Sequence, residues 1–422
     1  MKYQKAFQNK YFYAMKRHTG FLTTIVVGLL VLLGLNPSGH EPIASRWNYN
    51  EHLFPVFRDR CGSCHIEGGI APMSLVDYQK AFPWAQSIRE EVLNLRMPPW
   101  QAEDGFGSFL NGHALSVKEM DMILEWSSGG YPRGPRDRTP IVPELSVDWS
   151  FGKPSIELKL SEPYFIDRNT DEIVRYFIIL NNTDKDQWIE GIDFKPGAQS
   201  LVRGISLFVD TSGLARSLDA QDASLGFTEK VGQSFPTAPP IAIWRPGQIP
   251  LVKRGISHYL SEGSDLVLRV HYKKTWLTKG YEFFDRTRVG LYFSERSDQI
   301  RSIVVTSPEK FENRESSFHY EIKESIALLA LFPEVVVGSS MLKVEAVMSD
   351  GSHVPLLFLR EPSLGWPTRF WLDKPTVLPA GSQIKITALL EANAIRLNEI
   401  SLLGVNTNAP IRLAIDFVNG GF

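Results

Sequence analysis

Cysteine is nearly absent from this chain: the 422 residues contain only two, at Cys61 and Cys64. A disulfide framework that links distant parts of the chain is therefore excluded. The formal net charge is −2 at pH 7, so no broad basic surface is expected and we predict no nucleic-acid partner. Glycine-rich phosphate loops, Gly-x-Ser-x-Gly and zinc-protease motifs are also missing from the sequence.

Long apolar runs are scarce, and one lies near the N-terminus. The uncharged run 21–35 follows a segment that carries five basic residues, which is typical of an export signal or a signal anchor. The run is shorter than the roughly 20 residues that span a bilayer comfortably. We predict that segment 1–46 stays as a membrane anchor and that the rest is exported. The alternative is a cleaved signal, which would leave a soluble periplasmic protein.

Residues 47–135 show helical periodicity on both sides of the cysteines. The stretch 48–60 is amphipathic, and 77–95 carries apolar residues at helical spacing. Ser116, followed three positions later by Glu119, has the form of a capping box that opens a further helix. The sequence therefore predicts a small all-α domain in this part of the chain.

The pattern changes after the proline-containing linker predicted at 136–144. Short β-branched and aromatic runs now alternate with turn residues, which indicates β-sandwiches or barrels. We expect two antiparallel, jelly-roll-like β-sandwiches, at 145–297 and 298–422. The expected strands include 173–180, 201–209, 266–272, 289–293, 325–331, 342–348, 353–359 and 383–390.

The two cysteines and His65 form the motif Cys-x-x-Cys-His. Two thiols at this spacing can add across the vinyl groups of a porphyrin, and the adjacent histidine can place a ring nitrogen on the iron. We therefore predict one covalent haem c, bound through Cys61 and Cys64, with His65 as the proximal iron ligand. A redox cysteine pair would need a βαβ setting, and a zinc site would need further Cys or His nearby.

Met97 is the predicted sixth ligand of the haem iron. It precedes Pro98 and Pro99, which force the chain out of helical geometry and place the sulfur on a stiff loop. Met73, His113 and an open sixth position remain alternatives. Three aromatic side chains are predicted as walls of the haem pocket: Trp84, Trp100 and Phe106.

Several segments around the motif resemble the cytochrome domain of a bacterial multidomain family. They are 61–65, 69–75, 83–85 and 96–100. That family joins a monohaem cytochrome c to a module similar to the copper type II, ascorbate-dependent monooxygenases, whose animal relatives are the peptidylglycine hydroxylating and dopamine monooxygenases. A weaker resemblance continues through the β region at 188–197, 260–272, 289–293 and 371–385.

The copper ligands that this resemblance implies are mostly missing. The family's adjacent histidine pair falls on 202–205, and its later histidines fall on 334–336, where no histidine stands. Its His-x-His pair falls on 271–273, where His271 alone remains. Copper in such enzymes needs imidazole or thioether ligands, so we expect no copper and interpret the β region as a non-catalytic docking module. His271 is interpreted as a structural histidine.

These observations predict an electron-transfer protein rather than an enzyme. It would lie on the periplasmic side of the bacterial inner membrane, and its partners would be membrane or periplasmic redox proteins. Two alternatives stay open: an active copper monooxygenase with a fused haem donor, and a mainly structural subunit of a larger complex.

Overall fold

A computed structural model describes most of the chain after its first 43 residues. The described residues are 44–110, 112, 114–144, 148–180, 185–228, 235–248, 250, 252, 254–310, 314–362, 366–391, 402–404 and 409–420. The apolar run 21–35 of the predicted anchor segment 1–46 and the alternative ligand His113 lie outside them. Within the described ranges, no helix has the length and apolar character needed to cross a membrane.

The N-terminal part of the described chain is helical. The π-helical turns Tyr49–Leu53 and Phe57–Cys61 flank a short α-helix, and a 3₁₀ turn, Phe82–Trp84, joins the next two. The α-helices are α1 (Phe54–Val56), α2 (Tyr78–Ala81), α3 (Ala85–Leu93) and α4 (Val117–Ser128). They pack around a buried aromatic core that includes Tyr49, Phe57 and Trp126.

The predicted capping box at the start of α4 is confirmed. The Ser116 hydroxyl accepts a hydrogen bond from the Glu119 backbone N–H at 3.3 Å. In return, the Glu119 carboxylate accepts from the Ser116 backbone N–H at 2.7 Å. The two bonds satisfy donors that a helix start leaves without intrahelical partners, which fixes where α4 begins.

The rest of the described chain is mostly β-structure. A 3₁₀ turn, Arg136–Arg138, precedes it, and one helix, α5 (Leu214–Asp219), interrupts it. All eight runs expected as strands overlap strands of the structure. The strands are β1 (Ile156–Lys159), β2 (Tyr164–Ile166), β3 (Glu172–Leu180), β4 (Gln187–Lys195), β5 (Val202–Asp210), β6 (Ala242–Trp244), β7 (Ile256–Leu260), β8 (Asp265–Lys273), β9 (Phe283–Asp285), β10 (Arg288–Ser294), β11 (Asp298–Gln299), β12 (Arg301–Thr306), β13 (Glu315–Glu321), β14 (Ile326–Val335), β15 (Ser339–Val347), β16 (His353–Arg360), β17 (Phe370–Leu378), β18 (Gln383–Leu390) and β19 (Ile411–Asn419).

The first β unit, β1–β11, contains three sheets. Their strand orders are β1-β10-β4-β7-β11, β3-β8-β5-β6 and β2-β9. Pairing is antiparallel, except that β11 runs parallel to β7. The side chains of β8 alternate between two faces, as a strand requires: Leu266, Leu268 and Val270 enter the core that the two larger sheets share, whereas Val267 points away from it.

The second β unit, β12–β19, contains two four-stranded antiparallel sheets. Their orders are β12-β19-β14-β17 and β13-β18-β15-β16. Both sheets contribute to one hydrophobic core, to which β14 adds Leu328, β15 adds Val344 and β18 adds Ile386. Each of these three side chains is fully buried, so the core binds the two sheets together.

The two β units pack against each other through β14. Its alternate side chains, such as Phe332, join an aromatic cluster with Tyr176 and Phe208 of the first unit. Two buried ion pairs lie on the same sheet: Arg412 is 3.3 Å from Glu334, and Arg369 is 3.1 Å from Asp416. Burial on both faces explains why β14 reads as a continuous apolar run in the sequence.

One segment of the predicted helical domain belongs structurally to the second β unit. Ala102 forms a β-bridge with Leu359, and Phe109 forms one with Leu372. The Glu103 backbone N–H also donates to the Phe358 carbonyl at 2.9 Å. The stretch between α3 and α4 therefore leaves the helices and lies along the sheet edges of the second β unit.

Candidate haem-binding site

The cysteine motif forms a tight turn at the end of a helical segment. The backbone N–H groups of Cys64 and His65 both donate to the Cys61 carbonyl, at 3.1 and 2.8 Å. Gly62 lies inside this turn, where a Cβ would approach the Arg58 carbonyl oxygen to 2.6 Å. The local fold thus brings two thiols and an imidazole together, and it requires glycine at the first intervening position.

The His65 ring is oriented by a backbone carbonyl. Its Nδ1 lies 3.2 Å from the Met73 carbonyl oxygen. Because a carbonyl can only accept, the proton is assigned to Nδ1 and the Nε2 lone pair is left available. Burial lowers the pKa of His65 and favours the neutral ring. A neutral imidazole held through its other nitrogen is the usual arrangement of a metal-binding histidine.

The motif opens onto a cavity of about 230 Å³. Cys61, Cys64 and His65 all line it. Two of the candidates for the sixth iron ligand, Met73 and Met97, line it as well. The other walls are largely apolar and include Ile70, Leu75, Ile88, Val92, Leu115 and Ile123. The structure therefore gathers the predicted covalent attachment points and iron ligands around one apolar space, as a haem pocket requires.

The tryptophans predicted as pocket walls lie elsewhere. Trp84 packs, half-buried, on the helical core. Trp100 packs edge-on against Phe370 of the second β unit, with ring centroids 5.3 Å apart. Phe106 packs on Phe358 of the same unit, with ring centroids 5.0 Å apart. Trp100 and Phe106 are not among the residues that line the cavity in the structure, because the chain after Pro99 pairs with the second β unit instead of folding back over the helices.

Burial raises the pKa of the Cys61 thiol to about 12 and that of Cys64 to about 11. Thiols with such values stay protonated at neutral pH, whereas disulfide exchange requires a thiolate. In the part of the chain that the structure describes, no group of three or more His, Cys, Asp or Glu side chains is placed to hold a metal ion.

Both β units reach the cavity, which the sequence does not indicate. Arg203 of β5 and Trp366, which precedes β17, form part of its wall. Gly247 of the first β unit, with φ +87°, lies so close that a Cβ there would be 2.9 Å from Ser63 Oγ and 3.3 Å from Cys64 Sγ. The first β unit is therefore seated directly on the cysteine motif.

Two residues at positions where the resemblance implies copper ligands, His271 and Glu334, bind other residues of the chain. His271 Nε2 lies 2.7 Å from a Glu172 carboxylate oxygen. Glu334 accepts from the Leu402 backbone N–H at 2.6 Å and pairs with Arg412. Three further histidines lie on three different strands, β7, β13 and β16: His258, His319 and His353.

Comparisons with known proteins do not assign the chain to a family. No family profile matches it, and no curated protein matches its sequence.

Comparison with solved structures finds weak similarities only. The major capsid protein P2 of bacteriophage PM2 is 8% identical over 63% of this chain and 97% of the capsid chain, with a TM-score of 0.24. A PBCV-1 virus capsid protein is 11% identical over 63% and 92%, with a TM-score of 0.19. A Paenibacillus xanthan lyase is 10% identical over 67% and 28%, with a TM-score of 0.17. Scores this low support no conclusion about fold or function.

Proposed function

We propose that the protein is an exported monohaem c-type cytochrome that transfers electrons. The observation that carries the proposal is that Cys61, Cys64, an oriented His65 imidazole and Met97 all line one apolar cavity. In this proposal the helical part is a cytochrome c domain, and each β unit is an antiparallel, jelly-roll-like sandwich. The likeness of the motif segments to the cytochrome domain of monooxygenase-like proteins supports the same assignment.

The residues of the site have separate tasks in this function. Cys61 and Cys64 would hold the haem covalently, and His65 would bind its iron through Nε2. When bound, the haem supplies a one-electron redox couple. Met97 would complete six-coordination, which limits reorganisation during electron transfer and leaves no position for a substrate. Segment 1–46 would anchor the protein at the inner membrane, so that its partners are membrane or periplasmic redox proteins.

The β units would act as a docking module within a membrane redox complex. A mainly structural role of the haem is the second candidate, and the contacts of Arg203, Trp366 and Gly247 with the site favour it. An active copper monooxygenase is less well supported, because the hydrogen bonds of His271 and Glu334 occupy the positions that copper ligands would need.

Haem attachment is tested by producing the full chain together with a cytochrome c maturation system. Covalent haem should stay on the denatured wild-type chain, and should be lost from the Cys61→Ala/Cys64→Ala double variant. Ser63→Ala, between the two cysteines, is the matched control and should retain it. A wild-type chain that carries no covalent haem under these conditions, or that carries copper, would refute the proposal.

The carrier and structural roles make different predictions for native membranes. An electron carrier should be reduced and oxidised by its co-purified partners within their turnover time. If the Cys61→Ala/Cys64→Ala double variant carries no haem and leaves electron flow unchanged while the complex still assembles, the haem is structural.

A further inference from the structure

An arginine of the first β unit lines the proposed haem cavity, and one nitrogen of its guanidinium group has no hydrogen-bond partner among the described residues. Arg203 lies on β5 and lines the cavity. Its Nε is buried and has no hydrogen-bond partner among the described residues. Burying a charged group is costly unless an opposite charge or hydrogen-bond acceptor compensates for it. The buried Nε–H therefore lacks an acceptor among the described protein atoms, and an anionic ligand in the cavity would supply one.

The other charged side chains of the cavity wall already have partners. Arg60 binds Glu119 at 3.0 Å, and Glu91 binds Arg96 at 2.8 Å. Arg203 thus differs from the other ionised groups on the described wall.

Two groups act electrostatically on Arg203, the Cys64 thiol and one carboxylate. Haem attachment would convert the thiol into an uncharged thioether, and the carboxylate is engaged elsewhere. That carboxylate belongs to Glu172, which lies 2.7 Å from His271 and 2.8 Å from Lys273. Glu172 thus makes its direct contacts with other residues, and a carboxylate of a cavity ligand would supply the contact that Arg203 lacks.

A haem bound at this motif brings two propionate groups into the cavity. Guanidinium groups bind carboxylates through charge-assisted, often bidentate hydrogen bonds. We propose that Arg203 is the counter-ion of a haem propionate, and that the first β unit sets the reduction potential of the haem through it. This inference rests on the proposed function, because it requires a haem in the cavity.

The sign of the effect follows from electrostatics. A cation beside the haem disfavours the oxidised state, which carries one more positive charge on iron than the reduced state. Removal of the Arg203 charge should therefore stabilise the oxidised haem and lower the midpoint potential. The effect should be large for a partly buried charge, because water screens it only weakly.

The test is a spectroelectrochemical titration of the haem-loaded full chain. Arg203→Gln should reduce the equilibrium constant for haem reduction about tenfold, which is about 59 mV for a one-electron couple. Arg203→Lys keeps the positive charge, so its midpoint potential should stay close to that of the wild type. Arg301→Gln, an exposed arginine on β12, removes the same charge away from the cavity and should leave the potential unchanged.

Two outcomes would overturn the inference in different ways. If Arg203→Gln carries a normal amount of covalent haem at an unchanged potential, the counter-ion role is wrong while the cytochrome assignment stands. If the wild-type chain takes up no covalent haem, both fail. Should Arg203→Gln not fold, Arg203→Met replaces it, because it removes the charge and the donors while keeping a long side chain. A shifted propionate bending mode in its resonance Raman spectrum supports the contact, and an unchanged mode refutes it.

Discussion

The contact between His65 and the Met73 carbonyl oxygen favours Met97 over Met73 as the proposed sixth ligand. The Met73 carbonyl oxygen lies 3.2 Å from His65 Nδ1, the ring nitrogen that points away from a metal bound at Nε2. The Met73 backbone is thereby held on the His65 side of the site. A residue on another part of the cavity wall would be needed as the sixth ligand. Met97 lies on a separate loop that lines the same cavity, so it meets this requirement better.

Met97→Ala should therefore open the haem iron. In the reduced state the variant should bind carbon monoxide, and its midpoint potential should fall by at least a tenfold change in equilibrium constant, about 59 mV, because a methionine ligand raises the potential. Absorption spectra with and without carbon monoxide measure the first effect. Met73→Ala is the matched control and should stay closed to carbon monoxide. The reverse pattern would assign the ligand to Met73.

At the scale of residues, the sequence predicts the motif but not what surrounds it. Cys61, Cys64 and His65 are recognisable because their covalent spacing is a local property. Arg203 carries no local pattern, because its role depends on how β5 is placed against the helices. The sequence predicts Trp100 as a pocket wall, whereas the structure packs it on Phe370 of the second β unit.

Helix α4 gives a prediction at the scale of one element. Ser116→Ala removes the hydroxyl that accepts from the Glu119 N–H, and the loss of such a cap costs about 1 kcal/mol. Amide hydrogen exchange in the first turns of α4 should then accelerate about fivefold, since this technique reports local stability.

Lys118→Ala is the control for this change. Lys118 lies in the same first turn but is exposed, and a surface substitution of this kind alters stability by less than about 0.5 kcal/mol. Equal exchange rates in Ser116→Ala and the wild type would show that the capping box does not stabilise α4.

Elements with a regular period were predictable, and long-range strand partners were not. The cap at Ser116 and the strands of both β units follow from local residue patterns. The pairing of Ala102 with Leu359 does not, because it joins residues that are far apart in the chain and follows no local turn. The sequence likewise does not show which faces of β14 are covered, since a continuous apolar run fits any fully buried strand.

At the scale of the whole molecule, the β units are packed onto the helical part rather than tethered to it. The first unit places Arg203 and Gly247 at the cysteine motif, and the second places Trp366 in the cavity wall. The second unit also pairs with the segment after Pro99. A haem in this cavity would therefore be enclosed by all three parts of the chain, which ties its environment to the docking of the β units.

Two glycines of the first β unit provide a matched test of this packing. Gly247 and Gly255 both have φ +87°, so an alanine at either position suffers a similar backbone strain of about 1–2 kcal/mol. A Cβ at Gly247 would also meet Ser63 and Cys64, whereas a Cβ at Gly255 meets nothing within 4 Å. Overpacking typically costs about 1–3 kcal/mol more.

Gly247→Ala should therefore lower the melting temperature of the haem-loaded full chain by more than Gly255→Ala does, as measured by scanning calorimetry. It should also change the haem midpoint potential, which Gly255→Ala should leave unaltered, because the clash displaces the unit that carries Arg203. Equal melting temperatures and equal potentials in the two variants would mean that the first β unit does not press on the cysteine motif in solution. The proposed control of the haem by Arg203 would then lose its structural basis, although the haem attachment itself would not.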